Sequence, residues 1–334
     1  MNQATTIIII FLLLSPAVFA GTGTETMQFL KIKPSARATS LGDSFVSIAN
    51  DASATFYNPA GLAQLDNMEI SLMHMAYIAE TSYEFGTIVL PAGDKLRIGA
   101  YIIFLNYGSV VKTTEDSSGI FSGNSGSYTP YDLSAAVSMG YRLSGNFNVG
   151  FNIKMALSSI DDKSLNGIMG DAGVLWKVTD EISVGGILYN IGGVMQNGDA
   201  SPLTGKLGVS TKLSLMEEND LTAGVGFNYV NASAKLSESI GAEYCFRDMF
   251  SVRAGYGIGS DADGINIGAG LKQDLGGMTG TLDYNFSMLG DLGSAHRISI
   301  GLKFGQDNRS KVKSSGAKKK SVNTGIRNYY RGNK

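Results

Sequence analysis

A two-residue alternation of apolar and polar side chains, recurring from about residue 67 to residue 304, limits the folds open to this chain more than any other feature. Phe147, Val149, Phe151, Ile153, Met155 and Leu157 interleave with Asn146, Asn148, Gly150, Asn152, Lys154 and Ala156. Successive side chains of a strand point to opposite faces, so each such segment has one greasy face and one polar face. Many segments of this kind imply a closed barrel whose outside meets lipid and whose inside meets water.

Fourteen strands are expected, at 67–76, 81–90, 95–106, 131–141, 146–157, 167–177, 181–190, 204–214, 219–229, 236–247, 249–258, 264–273, 277–288 and 295–304. Most have the roughly 9–11 residues that a tilted strand needs to cross a bilayer. The connections alternate in length. Those at 91–94, 142–145, 178–180, 215–218, 248 and 274–276 are short, and several of those at 77–80, 107–130, 158–166, 191–203, 230–235, 259–263 and 289–294 are long. Short periplasmic turns facing longer external loops, with both termini periplasmic, is the pattern of bacterial outer-membrane barrels. An aqueous β-sandwich would use fewer and shorter strands. Polar-face glycines such as Gly224, Gly226, Gly255, Gly257, Gly268 and Gly270 would leave room for other backbone to come close. The last strand presents Arg297, Ser299, Gly301 and Lys303 inward and Ile298, Ile300, Leu302 and Phe304 outward.

The ends differ from the body. The apolar run Ile7–Leu14, followed by Val18-Phe19-Ala20, reads as a secretory leader, residues 1–20, cleaved after Ala20. Residues 305–334 carry nine Lys and Arg against one Asp, a net of +8, which leaves −10 on the rest of a chain whose total is −2. This tail has little apolar content and is expected to be disordered on its own in the periplasm, free to meet acidic partners or anionic headgroups. Nucleic acid is not an expected partner there. The one cysteine, Cys245, excludes an intrachain disulfide and any multi-cysteine metal site.

Residues 21–66 precede the barrel and, from 27 onward, do not alternate. Ala36–Ala49 has helical character, with Leu41, Phe45 and Ile48 on one face, and Asn58-Pro59-Ala60-Gly61 is a turn. A partly apolar segment ahead of a glycine-lined barrel is expected to fill the lumen as a plug. The stretch Ser35-Ala36-Arg37-Ala38-Thr39-Ser40-Leu41-Gly42-Asp43-Ser44, followed by Asn50-Asp51-Ala52-Ser53-Ala54-Thr55-Phe56-Tyr57-Asn58-Pro59-Ala60-Gly61-Leu62-Ala63, resembles the N-terminus of the PorV/PorQ family within the FadL-like group of outer-membrane barrels. The resemblance implies an all-β fold, a 14-stranded antiparallel transmembrane barrel with an N-terminal, partly helical plug. Its motif residues here are Arg37, Gly42, Asp51, Asn58, Pro59, Ala60 and Gly61. It implies one of two roles: a PorV-like, non-catalytic part of type IX protein secretion that binds exported clients or secretion machinery, or a FadL-like passage for hydrophobic small molecules such as fatty acids. The export role is the first expectation, and a barrel with no transport role is a third.

No catalytic, cofactor or metal site is expected. By parity His74 and His296 face lipid or the rim, and no Gly-x-Ser-x-Gly elbow, His-Glu-x-x-His pair or phosphate loop is present. Asp261-Ala262-Asp263-Gly264 lacks the flanking ligands of a calcium loop and reads as a turn. Arg37 and Asp51 could latch the plug, and Asp132, Lys154, Glu243, Arg253 and Asp283 are candidate lumen-lining charges that would meet it. Outward Tyr141, Tyr229, Tyr244, Phe246, Phe250 and Tyr256 fit interfacial aromatic girdles.

Overall fold

The computed structural model describes residues 26–305 apart from 79–80, 197–198, 200, 217, 232–234 and 260–263. The expected leader (1–20), nearly all of the basic tail and Asp261–Asp263 lie outside the described residues.

Among the described residues, sixteen strands follow a short N-terminal segment. They are β1 (Glu69–Ala76), β2 (Ser82–Pro91), β3 (Leu96–Asn106), β4 (Val110–Glu115), β5 (Phe121–Tyr128), β6 (Tyr131–Arg142), β7 (Phe147–Ile160), β8 (Lys163–Lys177), β9 (Ile182–Met195), β10 (Thr204–Met216), β11 (Asn219–Val230), β12 (Lys235–Phe246), β13 (Phe250–Ile258), β14 (Ile265–Asp274), β15 (Met278–Met288) and β16 (Ser294–Phe304). All but β4 and β5 form one closed antiparallel barrel, with β1 pairing β16 to complete it. Closure gives every barrel strand a partner on both sides, which is what a sheet needs in hydrocarbon. Each of the fourteen expected strands is present.

The two faces differ as the alternation predicts. On β7, Phe151, Ile153 and Met155 are exposed, Ile153 at 72%, while Asn152 and Lys154 on the other face are 2% and 3% exposed. Outward Leu72, Val137, Ile168, Ile240, Val252 and Ile300 extend this apolar surface around the cylinder. Burying polar residues while exposing branched aliphatic ones is unfavourable in water and favourable in lipid.

Two loop expectations need correction. The segment 158–166 is not a loop: β7 and β8 run on to a two-residue turn at Asp161–Asp162, with Asp161 at φ 53°. The segment 107–130 contains the hairpin β4–β5, which pairs with no barrel strand. The strongest irregularity in the wall lies between β8 and β9, where the register shifts twice between Ile168 and Ala172. There Asn190 takes φ 62°, and β9 pairs with β10 only as far as Tyr189↔Thr204.

Candidate functional site: the plugged bore

Residues 26–66 occupy the bore. A 3₁₀ turn at Gln28–Lys31 leads to α1 (Ala36–Ser40), then α2 (Ala54–Tyr57) and a second 3₁₀ turn at Pro59–Gln64. The helix expected over Ala36–Ala49 is cut to one turn. Ser35 caps its start, and Gly42 and Asp43 at φ 65° and 76° turn the chain out of it. Left-handed backbone cannot continue a right-handed helix. Leu41, Phe45 and Ile48 are nevertheless all buried. At Asn58 the side chain accepts from Ala60 N, and Pro59 supplies the first position of the turn, where its missing N–H costs nothing.

A short irregular segment leaves many backbone groups unpaired, and a buried one costs about 1–3 kcal/mol. The wall supplies partners. Asn152 donates to Thr55 O at 2.9 Å, Tyr189 to Tyr57 O at 2.7 Å, Arg142 to Ala63 O at 2.6 Å and Arg297 to Lys33 O at 3.2 Å. In return Ala36 N donates to Ser299 Oγ at 3.1 Å, and Asn58 Nδ2 to Val174 O at 3.0 Å. Wall glycines set the approach. A Cβ on Gly150 would fall on the Pro59–Ala60 peptide, and one on Gly255 on the Leu41–Gly42 peptide. Gly61 has the same function within the plug, since a Cβ there would strike Ala49.

Four plug motif residues are thereby placed by contact: Gly42, Asn58, Pro59 and Gly61, with Ala60 fully buried beside Gly150. The charged pair joins a network with the wall. Arg37 donates to both oxygens of Glu243 at 2.8 and 2.9 Å and to Asp51 at 2.8 Å. Arg253 donates to Glu243 at 2.5 Å and to Asp283 at 2.6 Å. Gly270 opens the space for that last pair, because a Cβ there would meet both side chains. Burial alone would pull the Arg37 guanidinium down; Glu243 and Asp51 outweigh it and hold the group well above its ordinary value, so it is a cation. Asp132 and Lys154 lie apart from this network. Tyr107 O–H donates to Asp132 at 2.6 Å, and Lys154 pairs with Asp171 at 2.7 Å.

Asp171, Tyr189 and Lys206 emerge only from the structure, and the contacts of Asp43 and Phe56, quoted above within the resembling stretch, are seen only there. Asp171 also accepts from Asn152 and from the Asn190 backbone N–H, which anchors the β9 irregularity. Its sequence signal is a lone acid opposite Asn152 on the polar face of a strand pair. Phe56 stacks edge-on or tilted against Tyr57, Phe85, Tyr101 and Tyr189, with centroids 5.3–6.5 Å apart. His74 and His296 lie on the exposed outer face, bonded to Glu84 and Tyr284.

Among the described residues, two cavities that share no lining residue lie on opposite sides of the plug. The one at the end with the short turns, about 570 Å³, contains the Arg37–Glu243–Arg253 network. The other, about 430 Å³, lies at the end with the long loops, between Leu30, Val46 and Phe56 of the plug and Tyr189, Asn228 and Arg297 of the wall.

Residues 19–177 match the model of an uncharacterised protein family, UPF0164. No curated protein matches the chain. Several solved structures share its fold. The toluene transporter TbuX of Ralstonia pickettii superposes with a TM-score of 0.57 at 13% identity, covering 84% of this chain and 100% of that one. The toluene transporter TodX of Pseudomonas putida gives 0.55 at 14%, covering 86% and 99%. The monoaromatic hydrocarbon channel CymD gives 0.54 at 14%, covering 82% and 97%. At such identities the likeness is one of fold.

Proposed function

We propose that the protein is a non-enzymatic outer-membrane channel that passes hydrophobic small molecules through its plugged bore, with the long loops outside and both termini periplasmic. The observation that carries this reading is the cavity at the loop end, walled by plug and barrel together and backed by the Phe56 aromatic cluster. A ligand entering from outside meets apolar and aromatic surface on the plug itself, at Leu30, Val46 and Phe56, facing Tyr189 of the wall. A plug held by short segments and ion pairs, rather than by long helices, can be displaced without unfolding the wall. The fold held in common with transporters and channels for toluene and other monoaromatics supports the same class.

The export role implied by the PorV/PorQ resemblance rests on the plug motif and the long loops, and the similar structures named above are transporters and channels. Uptake of labelled toluene by Gram-negative cells lacking their own hydrocarbon channels tests the proposal. Cells with the folded barrel in their outer membrane are expected to take it up severalfold faster than vector controls. Equal rates would refute passage, and loss of surface-protein export on deleting the gene would favour the export role instead.

A further inference from the structure

The plug helix α2 stands between two groups of polar contacts that serve different ends of the bore. On the side of the short turns, Arg37 donates to Asp51 Oδ2 at 2.8 Å. Asp51 Oδ1 accepts from the N–H and the hydroxyl of Ser53, at 3.0 and 2.5 Å, and Ser53 is the residue that starts α2. Arg37 and Asp51 line the cavity at that end. On the side of the wall, two carbonyls of α2 are taken up by side chains: Thr55 O by Asn152 Nδ2 at 2.9 Å and Tyr57 O by the Tyr189 hydroxyl at 2.7 Å. Asn152 Nδ2 also donates to Asp171 Oδ2 at 2.8 Å, and Asp171 Oδ1 accepts the Asn190 N–H at 2.9 Å. Tyr189 and Asn190 line the loop-end cavity. A continuous run of contacts therefore joins the charge network on one side of the plug to the wall of the cavity on the other.

The far end of this run is the irregular part of the wall. Asn190, at φ 62°, has a conformation uncommon in residues with a side chain. Asp171 lies within the stretch where β8 and β9 shift register, and the β9–β10 ladder ends at Tyr189↔Thr204. Side chains hold what the ladder does not. Asp171 takes the Asn190 N–H, Asn190 Nδ2 donates to Pro202 O at 2.7 Å, and Ser201 Oγ donates to Asn190 O at 3.0 Å. Asn152 and Asp171 are both buried, and Lys154 pairs with Asp171 at 2.7 Å. A buried carboxylate with three donors is firmly held, and each of those bonds is costly to lose. A shift of α2 draws on Asn152, and through it on the carboxylate that fixes Asn190.

We propose that Asn152 and Asp171 are positioning residues of the bore, which make the shape of the loop-end cavity depend on whether Arg37 holds the plug. Release of the plug at the short-turn end loosens Asn190 and reshapes the cavity at the loop end. By linkage, an occupied cavity alters the hold on the plug. This adds a regulation to the proposed passage of hydrophobic small molecules and rests on that reading, while the coupling itself needs no ligand. Such coupling is shown by measurement at both ends rather than by proximity.

Amide hydrogen exchange of the full chain in detergent, read by mass spectrometry over residues 54–57 and 189–195, tests it. The proteins compared are the parent, Arg37→Met, Asn152→Leu with Tyr189→Phe, and all three substitutions together. In the parent, Arg37→Met is expected to speed exchange by about tenfold or more in both stretches. With Asn152 and Tyr189 replaced, it is expected to speed 54–57 as before and 189–195 by less than about twofold. Tyr189→Phe keeps the ring that packs against Phe56, so α2 retains its packing on the wall. A shift in gel mobility on heating shows whether each variant keeps a folded barrel, and Asn152→Ala replaces Asn152→Leu if the latter does not. Equal acceleration of 189–195 with and without the Asn152 and Tyr189 bonds overturns the proposal. So does a wall stretch indifferent to Arg37→Met, and so does an unaccelerated 54–57, because Arg37 then does not hold α2. Toluene uptake reads the regulation: Arg37→Met is expected to change the rate severalfold in the parent and by less than about twofold in the triple variant. Equal changes in both overturn the regulation. The expected exchange pattern in a barrel that passes no toluene supports the coupling and refutes passage.

Discussion

Arg37 ties the plug to the wall through a network spanning 206 residues of sequence, from the plug to β12. Removing one member of a buried ion pair costs about 3–5 kcal/mol, because the partner is left charged and dry. Arg37→Met strands Glu243 with Arg253 alone and releases Asp51. It is expected to loosen the plug by an amount near the low end of that range, since Arg253 remains. Faster tryptic cleavage after Lys31, the one site of this stretch present in both proteins and not followed by proline, with the barrel's heat-modifiable mobility intact, would show it; unchanged cleavage would mean that the contacts of Asn58 and Tyr189 hold the plug unaided. At this scale the sequence exposed the ingredients and hid the assembly. Arg37, Asp51, Glu243, Arg253 and Asp283 were each legible as a charge in the plug motif or on an inward face. Their meeting was not, because it depends on a plug path that no periodicity encodes and on Arg253 reaching Asp283 across the gap left by Gly270.

At the scale of elements, the plug and wall fit by subtraction. Inward glycines on consecutive strands, Gly241 on β12, Gly255 on β13 and Gly268 on β14 among them, lie directly against plug atoms. Their density was readable in the alternation; which plug residue each admits was not. Gly255→Val is expected to be more damaging than an ordinary overpacked core substitution, which costs about 1–3 kcal/mol. Its side chain would meet Leu41 and Gly42 backbone, which cannot rotate away. Protease release of the plug from a barrel that still shows its heat-dependent gel shift is the expected reading, and a normally protected plug would refute the close-fit account. The hairpin β4–β5 stands at the opposite extreme. Its residues are nearly all exposed, and its ion pair to the barrel turn, Lys112–Asp161, sits in solvent. Replacing residues 110–128 with a short Gly-Ser link is expected to leave the thermal midpoint of the barrel unchanged. A clear fall would mean that the hairpin braces the β7–β8 turn. The sequence hid this hairpin because β4 and β5 lack an apolar face; exposed on both sides, they never alternate.

The whole molecule follows from one physical inversion: charged and polar groups are gathered within the cylinder, and aliphatic side chains cover its outside. That inversion makes the fold readable in the amino-acid sequence itself. Period-two patterning sets which face each residue takes, and strand lengths match a bilayer. Within the barrel, patterning missed loop segments, where 158–160 and 163–166 are strand, because Ser158, Ser159 and Lys163 are polar on both faces and carry no alternation. The same inversion makes a prediction that belongs to the molecule and to no single residue. Leu72, Val137, Ile153, Ile168, Val252 and Ile300 lie on different strands around the cylinder, each more than half exposed. Apolar patches larger than a few hundred Å² are rarely left in water by soluble proteins, and burial gains about 25 cal/mol per Å². The purified barrel is therefore expected to be monodisperse by size exclusion only with detergent and to aggregate when it is withdrawn. Charged substitutions should separate the two faces. Ile153→Arg, outward, is expected to impair insertion by about 2–4 kcal/mol if it lies near the bilayer midplane. The same change at an outward position near a strand end, such as Phe250, should cost far less. A barrel that stays monodisperse in plain buffer, and that tolerates Ile153→Arg as well as Phe250→Arg, would rule out a lipid-facing exterior and with it every functional reading that depends on a membrane.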